Sequence, residues 1–370
     1  MTTVSDHIAC SRTSRRTRRV LAFASLALVG LGPTACDNDV RDDPIERFRQ
    51  SLPSDETLAL DVPGEEDLET SELPLETIEA PLIGEPSAMR MITRTVRRSM
   101  HQLIANVTDS FALLTNGPPT LRTANGAVWR VRLRAEGSER ALVMRRSESS
   151  FEYSVWARDF GATQWRFILF GRVFPGRDGD ARGAMWIDLD NDRFPRSQGK
   201  AAVLWSVIDD ARAVDVTLYD GTSDDAAVDR MTRNYSYQDS LEGGRLAFDA
   251  GDIDVHITPD HRERERVRVF TRWNGERAFR SDYSARGVEV HDDGYRILIG
   301  SECWQAPDAS ITFESRIGLP LSGASAVTLF ERGQRQTCAF QVEEPPIVAQ
   351  PGAAPSAPSQ PAELEEMEGR

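Results

Sequence analysis

The sequence predicts a mainly β protein in which one long N-terminal amphipathic helix is followed by a large antiparallel meander that forms a barrel, a half-barrel or a sandwich. Two periodicities support this fold class. Apolar residues recur every three or four positions over residues 87–115, and they alternate with polar residues along most of 127–342. Hydrophobic residues make up 40% of the chain, which suffices for a large core. We therefore expect one helix-plus-β domain over residues 87–342.

The first 36 residues have the composition of an export signal. Five arginines precede an apolar run from Val20 to Leu31, and the sequence Gly-Pro-Thr-Ala then leads to Cys36. A basic region, a short apolar region and small residues are typical of a secretory signal peptide. The apolar run is shorter than the roughly 20 residues that span a bilayer. We expect residues 1–35 to be a removed signal peptide, and a membrane-anchoring helix is the alternative.

Cys36 makes this segment resemble the signal of bacterial lipoproteins, in which the cysteine is diacylated and becomes the mature N-terminus. Thr34 and Ala35 fit the lipobox, whereas Pro33 replaces the aliphatic residue that is usual there. The resemblance implies a lipid anchor at Cys36 in the cell envelope. The anchored protein would face the periplasm or the cell exterior. The sequence does not distinguish the inner from the outer membrane.

The other cysteines fit an exported protein. Cys10 lies in the signal peptide, so Cys303 and Cys338 remain as a pair in the mature chain. An even number of cysteines in an oxidising compartment indicates a disulfide. Closing a loop of this length stabilises the fold by about 3–4 kcal/mol on the chain-entropy estimate. Two separate buried thiols are the alternative.

Charge is concentrated in the two flanks of the domain. Residues 37–89 carry sixteen acids and three arginines, and residues 341–370 carry six glutamates and one arginine. We expect 36–86 to be an acidic disordered tether and 343–370 to be a disordered tail rich in Pro, Ala and Glu. Residues 90–340 contain 35 charges of each sign. A neutral core with acidic flanks argues against a nucleic acid partner, because phosphate binding needs a basic surface.

No motif assigns a reaction to this sequence. The alternating acids Asp188, Asp190 and Asp192 lack the glycine and the distal glutamate of a calcium loop. Nucleophile, dinucleotide and phosphate-loop motifs are also missing from the sequence. We therefore assign no catalytic residue, no cofactor and no metal site, and an envelope enzyme that acts on glycans remains a lesser alternative.

Two arginine ladders are the candidate binding surface. Alternate positions on a strand share one face of a sheet, so each ladder should project on one side. The six residues are Arg130, Arg132, Arg134, Arg264, Arg266 and Arg268. Guanidinium groups suit phosphate and carboxylate, so a lipid headgroup, lipopolysaccharide or an acidic envelope glycan is a candidate ligand. Cross-strand pairing with Glu and Asp is the alternative.

The leading functional expectation is a non-catalytic binding or scaffolding domain on a lipid anchor, with unknown protein partners. A helix followed by a long meander also resembles the LolA/LppX type of lipid-carrying half-barrel, in architecture and without a shared motif. That resemblance implies a carrier with an apolar cavity beneath the helix. Trp156, Trp186 and Tyr219 fall out of phase with the core side of their strands. They are consistent with a cavity or with packing between two sheets.

Overall fold

The fold is built on one antiparallel sheet of fifteen strands, each hydrogen-bonded to its neighbours in chain order. The computed structural model describes residues 43–63, 87–176, 180–191, 199–219, 233–254, 264–306, 310–342 and 356–368. The strands are β1 (Leu121–Thr123), β2 (Gly126–Leu133), β3 (Ser138–Arg146), β4 (Phe151–Asp159), β5 (Arg166–Pro175), β6 (Ala181–Asp188), β7 (Lys200–Ile208), β8 (Ala211–Tyr219), β9 (Arg233–Ser240), β10 (Gly243–Asp254), β11 (Arg264–Asn274), β12 (Ala278–Arg286), β13 (Tyr295–Gln305), β14 (Ile311–Pro320) and β15 (Val327–Gly333).

The meander is confirmed, and its two ends stay open. The strand order begins at β1 and ends at β15, and these two strands do not pair with each other. Of the three predicted forms, a closed barrel is therefore wrong for the described strands. The alternation of apolar and polar residues predicts strands from local information, whereas closure depends on the curvature of the whole sheet.

Five α-helices accompany the sheet in the described part of the chain. They are α1 (Pro44–Ser51), α2 (Asp55–Leu58), α3 (Ala88–Thr115), α4 (Val288–Asp292) and α5 (Ala362–Glu368), and a 3-10 helix spans Arg335–Thr337. Ser87 caps α3, because its hydroxyl accepts a hydrogen bond from the Arg90 amide at 3.0 Å. None of these helices combines the length and the apolar character that a membrane crossing demands.

The inner face of the sheet, defined as the face that contacts α3, carries the main hydrophobic core. Near its start α3 approaches β11, where the Thr93 and Thr271 hydroxyls lie 3.2 Å apart. Near its end α3 approaches β3, where Arg140 donates to the Ser110 hydroxyl at 3.1 Å. The helix therefore crosses the strands. Its buried apolar side chains are Met89, Ile92, Val96, Met100, Leu103, Ile104, Val107, Phe111 and Leu114.

The outer face, on the opposite side of the sheet, is covered in two places by the C-terminal part of the chain. After β15 the chain turns onto β13, where the predicted disulfide between Cys303 and Cys338 is confirmed with a Cα–Cα distance of 5.6 Å. Further along, α5 packs on the strands of the N-terminal half, and Leu364 is fully buried there. Segments that follow β15 in the same chain therefore cover these two regions of the outer face.

Two predicted disordered segments contain ordered structure. Within the proposed tether, residues 43–63 form α1 and α2, and Phe48 is fully buried against Trp129 and Phe151. Within the proposed tail, residues 362–368 form α5. The disorder prediction is wrong for these stretches. The average composition of an acidic segment does not reveal single apolar residues, such as Phe48 and Leu364, that pack on the sheet. Residues 1–42, 64–86 and 343–355, with Cys36, lie outside the described residues.

Candidate functional site

Three arginines converge on one buried carboxylate at the outer face of β2, β3 and β4. Arg132 and Arg158 are the direct cross-strand neighbours of Glu139, and Arg130 lies two residues before Arg132 on the same face of β2. The Glu139 carboxylate accepts from Arg130 Nη2 at 2.5 Å, from Arg132 Nε at 2.7 Å and from Arg158 Nε at 3.0 Å. Only 6% of the Glu139 side chain is exposed. This cluster fixes three guanidinium groups next to one another.

These groups line an open depression of about 510 Å³, which we call the arginine basin. Its walls are Arg130, Arg132, Arg134, Arg158, Glu139 and the loop residues 160–163. Four arginines and one glutamate give the lining a net charge of +3. Arg134 makes no ion pair within the described part of the chain, and Phe160 at the rim is 48% exposed. The lining of the basin therefore combines a net positive charge with an accessible aromatic ring.

The electrostatics keep Glu139 ionised. Burial by itself would raise the pKa of this carboxyl, but hydrogen bonds from Arg130, Arg132 and Arg158 outweigh burial, and the pKa is lowered. The Arg158 guanidinium also stacks 4.5 Å from the centre of the Trp165 ring. Glu139 and Trp165 thus hold the arginines in place, and 70% of the Arg132 side chain stays exposed toward solvent.

The second ladder forms a separate cluster around Asp249. Arg266 binds both oxygens of this carboxylate at 2.7 and 2.8 Å, and Arg268 binds one of them at 3.1 Å. Asp249 is 2% exposed. Arg264 begins β11, and its side chain lies outside the described part of the chain. β2 and β11 are nine strands apart in the sheet, so the two ladders do not meet in one site.

Sequence reasoning missed a buried polar cluster at the start of α3. Glu302 on β13 accepts from the Ser87 hydroxyl at 2.6 Å and from the Met89 amide at 3.1 Å, so it caps the helix from the sheet. Glu314 lies directly opposite Glu302 on β14, and both residues are fully buried. The Glu314 oxygens have no hydrogen-bond partner within the described residues. Both glutamates lie at core positions of their strands. This placement is the sequence feature that could have indicated the cluster.

The environment of these two glutamates opposes ionisation. Burial raises the pKa of Glu314 to about 7, with a further contribution from Glu302, and Arg316 and Arg332 offset part of it. Burial also raises the pKa of Glu302, against the hydrogen bonds from Ser87 and Met89. Both carboxyl groups therefore favour the neutral form more strongly than an exposed glutamate does.

Two further depressions lie on the outer face. One of about 550 Å³ crosses β7 to β11 and includes Arg212, Arg245, Phe270 and Phe340. The other, of about 140 Å³, lies between Pro358 and the strands β3 to β5. Neither of these depressions nor the arginine basin is lined by α3.

Comparison with known proteins gives no relative: no family model, no curated protein and no solved structure matches this chain.

Proposed function

We propose that this protein is a membrane-tethered lipoprotein of the cell envelope whose β-domain binds a phosphate-bearing ligand at the arginine basin without transforming it. The observation that carries the proposal is the convergence of Arg130, Arg132 and Arg158 on Glu139. With Arg134, the lining holds four arginines and one glutamate. The lining keeps a charge of +3 at an open depression.

The arrangement is suited to an anion because it is formed before the ligand arrives. A planar guanidinium presents paired donors that match phosphate oxygens. Contacts to Glu139 already restrict the arginine side chains, so binding costs less side-chain entropy than it would with free arginines. The exposed ring of Phe160 beside the basin favours a phosphate that is attached to an organic group.

A lipid at Cys36 would limit the distance between the start of α1 and a membrane. Only seven residues separate Cys36 from Pro44, where α1 begins. Eight extended peptide steps span at most about 28 Å. Phe48 of α1 packs under Trp129 of β2 and Phe151 of β4, and these strands carry the basin on their other face. This proximity supports a lipid headgroup as the source of the phosphate.

The crossing of α3 supports a half-barrel form of the sheet. Ser87 contacts β13 and Ser110 contacts β3, which are ten strand spacings apart. Ten spacings measure about 48 Å along the sheet. The 23 helical steps between these two serines measure about 35 Å. Because the path across the strands from β3 to β13 is longer than the helix segment that contacts both, this geometry favours a sheet that curves around α3.

The same form keeps a lipid-carrier function as the second candidate. Against it, nine of the apolar side chains of α3 pack onto the inner face with at most 6% exposure. A lipid chain could occupy this space only if α3 moved away from the sheet. Native mass spectrometry in excess inorganic phosphate distinguishes the two candidates. A ligand at the basin would be displaced by the phosphate, whereas a carrier would retain lipid mass in its interior.

Vesicle binding tests the proposed function. The full chain carrying Cys36→Ser, which has no acyl anchor, is mixed with phosphatidylcholine vesicles that either contain or lack phosphatidylglycerol. We expect binding only to the anionic vesicles, and Arg132→Gln with Arg134→Gln should reduce it by about tenfold or more. Arg172→Gln on β5 is the matched control, because Arg172 is exposed and pairs with Glu152 outside the basin.

The outcomes separate the sources of phosphate. Binding of inorganic phosphate without binding of anionic vesicles would assign the basin to a free anion. Equal binding of both vesicle types, or equal loss in the Arg172→Gln control, would contradict a specific site at the basin.

A further inference from the structure

The outer face of β1 to β6 carries a cluster of apolar side chains that the meander itself leaves uncovered. We call it the outer aromatic surface, and its residues are Leu121, Val128, Ala141, Val143, Trp156, Trp165, Phe167 and Trp186. It holds three of the seven tryptophans of the chain. Without a cover, this face would be a large exposed apolar patch, which is typical of a protein interaction site.

In the structure α5 is the cover. Leu364 is fully buried on the outer aromatic surface, and Met367 packs beside it. Glu363 binds Arg145 of β3 through both carboxylate oxygens, at 2.7 and 2.5 Å. Pro361, Leu364 and Met367 are spaced three residues apart, as expected for anchors on one helix face.

The contact has the properties of a tethered peptide ligand. α5 has seven residues, and isolated helices shorter than about 12 residues are not stable in water. Its helical form therefore depends on the surface it occupies. Nineteen residues separate Val342 from Ala362, and six of them are prolines. Short elements with few buried contacts open at low cost, so we expect α5 to exchange between docked and released states.

We propose that the outer aromatic surface is a docking site for a short acidic amphipathic helix of a partner protein, and that α5 occupies it in cis until the partner displaces it. The seated α5 defines the chemistry of that partner. Apolar side chains at positions i and i+3 enter the cluster, and an acidic residue directly before the first of them pairs with Arg145. Further acids on the exposed side match Glu365 and Glu366.

Competition between cis and trans helices provides the test. The probe is a fluorescein-labelled peptide of residues 356–370, and its binding to full chains is followed by fluorescence anisotropy. Leu364→Gln weakens the tethered competitor, so we expect this variant to bind the probe at least about tenfold more tightly than the native chain does. Leu113→Gln is the matched control, because Leu113 is 47% exposed on α3.

A second variant guards against misfolding. Glu363→Arg places a like charge beside Arg145 and leaves the apolar cluster unchanged, and it should also open the site to the probe. Adding Arg145→Gln to Leu364→Gln should weaken probe binding again.

Three results would overturn the proposal. The first is absence of probe binding to variants in which hydrogen exchange shows α5 released. The second is binding that does not depend on Arg145. The third is a dimer of the native chain that disappears with Leu364→Gln, which would assign the site to a second copy of this chain.

Discussion

Glu139 shows how one buried carboxylate turns a row of like charges into an ordered cluster. Arg130 and Arg132 on β2 and Arg158 on β4 would repel one another across β3, but each of them reaches an oxygen of Glu139. The same arrangement recurs around Asp249. Most of the electrostatic attraction in each cluster therefore acts between the arginines and the acid of the sheet itself. Ligand binding depends on the net positive charge that remains on the lining.

Removal of the Glu139 charge should destabilise the fold. Glu139→Gln removes the carboxylate charge that three guanidinium groups share, and we expect a loss of about 2 kcal/mol in the free energy of unfolding in urea at pH 7. Glu136→Gln, which affects a carboxylate that is 47% exposed, should cost less than about 1 kcal/mol. Equal effects of the two variants would contradict the role assigned to Glu139.

The lowered pKa of Glu139 fixes the pH range of this contribution. A carboxyl whose pKa is lower in the folded state than in the unfolded state stabilises the fold above the unfolded value of about 4.5. The stabilisation disappears as the pH falls through the folded value. The difference between native protein and Glu139→Gln should therefore vanish in acid.

Glu314 should give the opposite pH dependence. Its pKa is raised to about 7 in the folded state, so its contribution is present below about pH 4.5 and is lost as the pH rises through 7. We expect the native chain to lose up to about 3 kcal/mol of unfolding free energy between pH 5 and pH 8 from this group. Glu314→Gln should remove that dependence, as measured by urea unfolding at both pH values.

Glu331→Gln on β15 is the control for this experiment, because Glu331 is exposed. It should leave the pH dependence unchanged. A Glu314→Gln variant with the native pH dependence would show that another group is responsible.

At the scale of elements, local periodicity predicts those helices and strands whose form depends on residues that are close in sequence. Alternation along β2 and β4 predicts antiparallel strands, because every second side chain enters the core. The same logic fails for α1 and α5, where only a few apolar residues are present in an acidic segment. Their packing partners are far away in sequence, as Phe48 with Tyr153 and Leu364 with the outer aromatic surface show.

Trp156 and Trp186 illustrate this limit. Their position on the non-core side of β4 and β6 predicts either a ligand cavity or a second packing layer. The structure favours the packing layer, because both tryptophans belong to one buried cluster with Leu364 of α5, an element that composition alone assigns to disorder. Long-range contacts of a short helix cannot be derived from its own sequence.

The burial of α1 can be tested by substitution. Phe48→Ala removes a ring that contacts Trp129, Phe151 and Tyr153, and we expect it to lower the free energy of unfolding by about 3–5 kcal/mol. Phe160→Ala changes an exposed ring and should have an effect within about 0.5 kcal/mol. If Phe48→Ala changes the free energy of unfolding only slightly, residues 43–63 do not pack on the sheet and form a solvated tether instead.

For the whole molecule, the sequence predicts the residue types of the candidate site but not their grouping. Six arginines were candidates, yet the order of fifteen strands places the two ladders nine strands apart. Arg158 joins the basin from a strand that has no ladder of its own. Such grouping depends on strand register, which is set by the full meander.

The membrane tether is testable at this scale. If Cys36 is acylated as predicted, Cys36→Ser should move the protein from the membrane fraction to the soluble fraction and remove the acyl mass from the mature chain. Cys10→Ser, within the predicted signal peptide, is the matched control and should leave both properties unchanged. A Cys36→Ser chain that stays in the membrane fraction would contradict lipid anchoring at this residue.

Calorimetric titration of the full Cys36→Ser chain with inorganic pyrophosphate tests ligand binding at the arginine basin most directly. The account predicts one binding event per chain, weakened by about tenfold or more in the Arg132→Gln, Arg134→Gln variant and unchanged in Arg172→Gln. A titration without binding heat in the native basin, or an affinity that the double substitution does not alter, would contradict it.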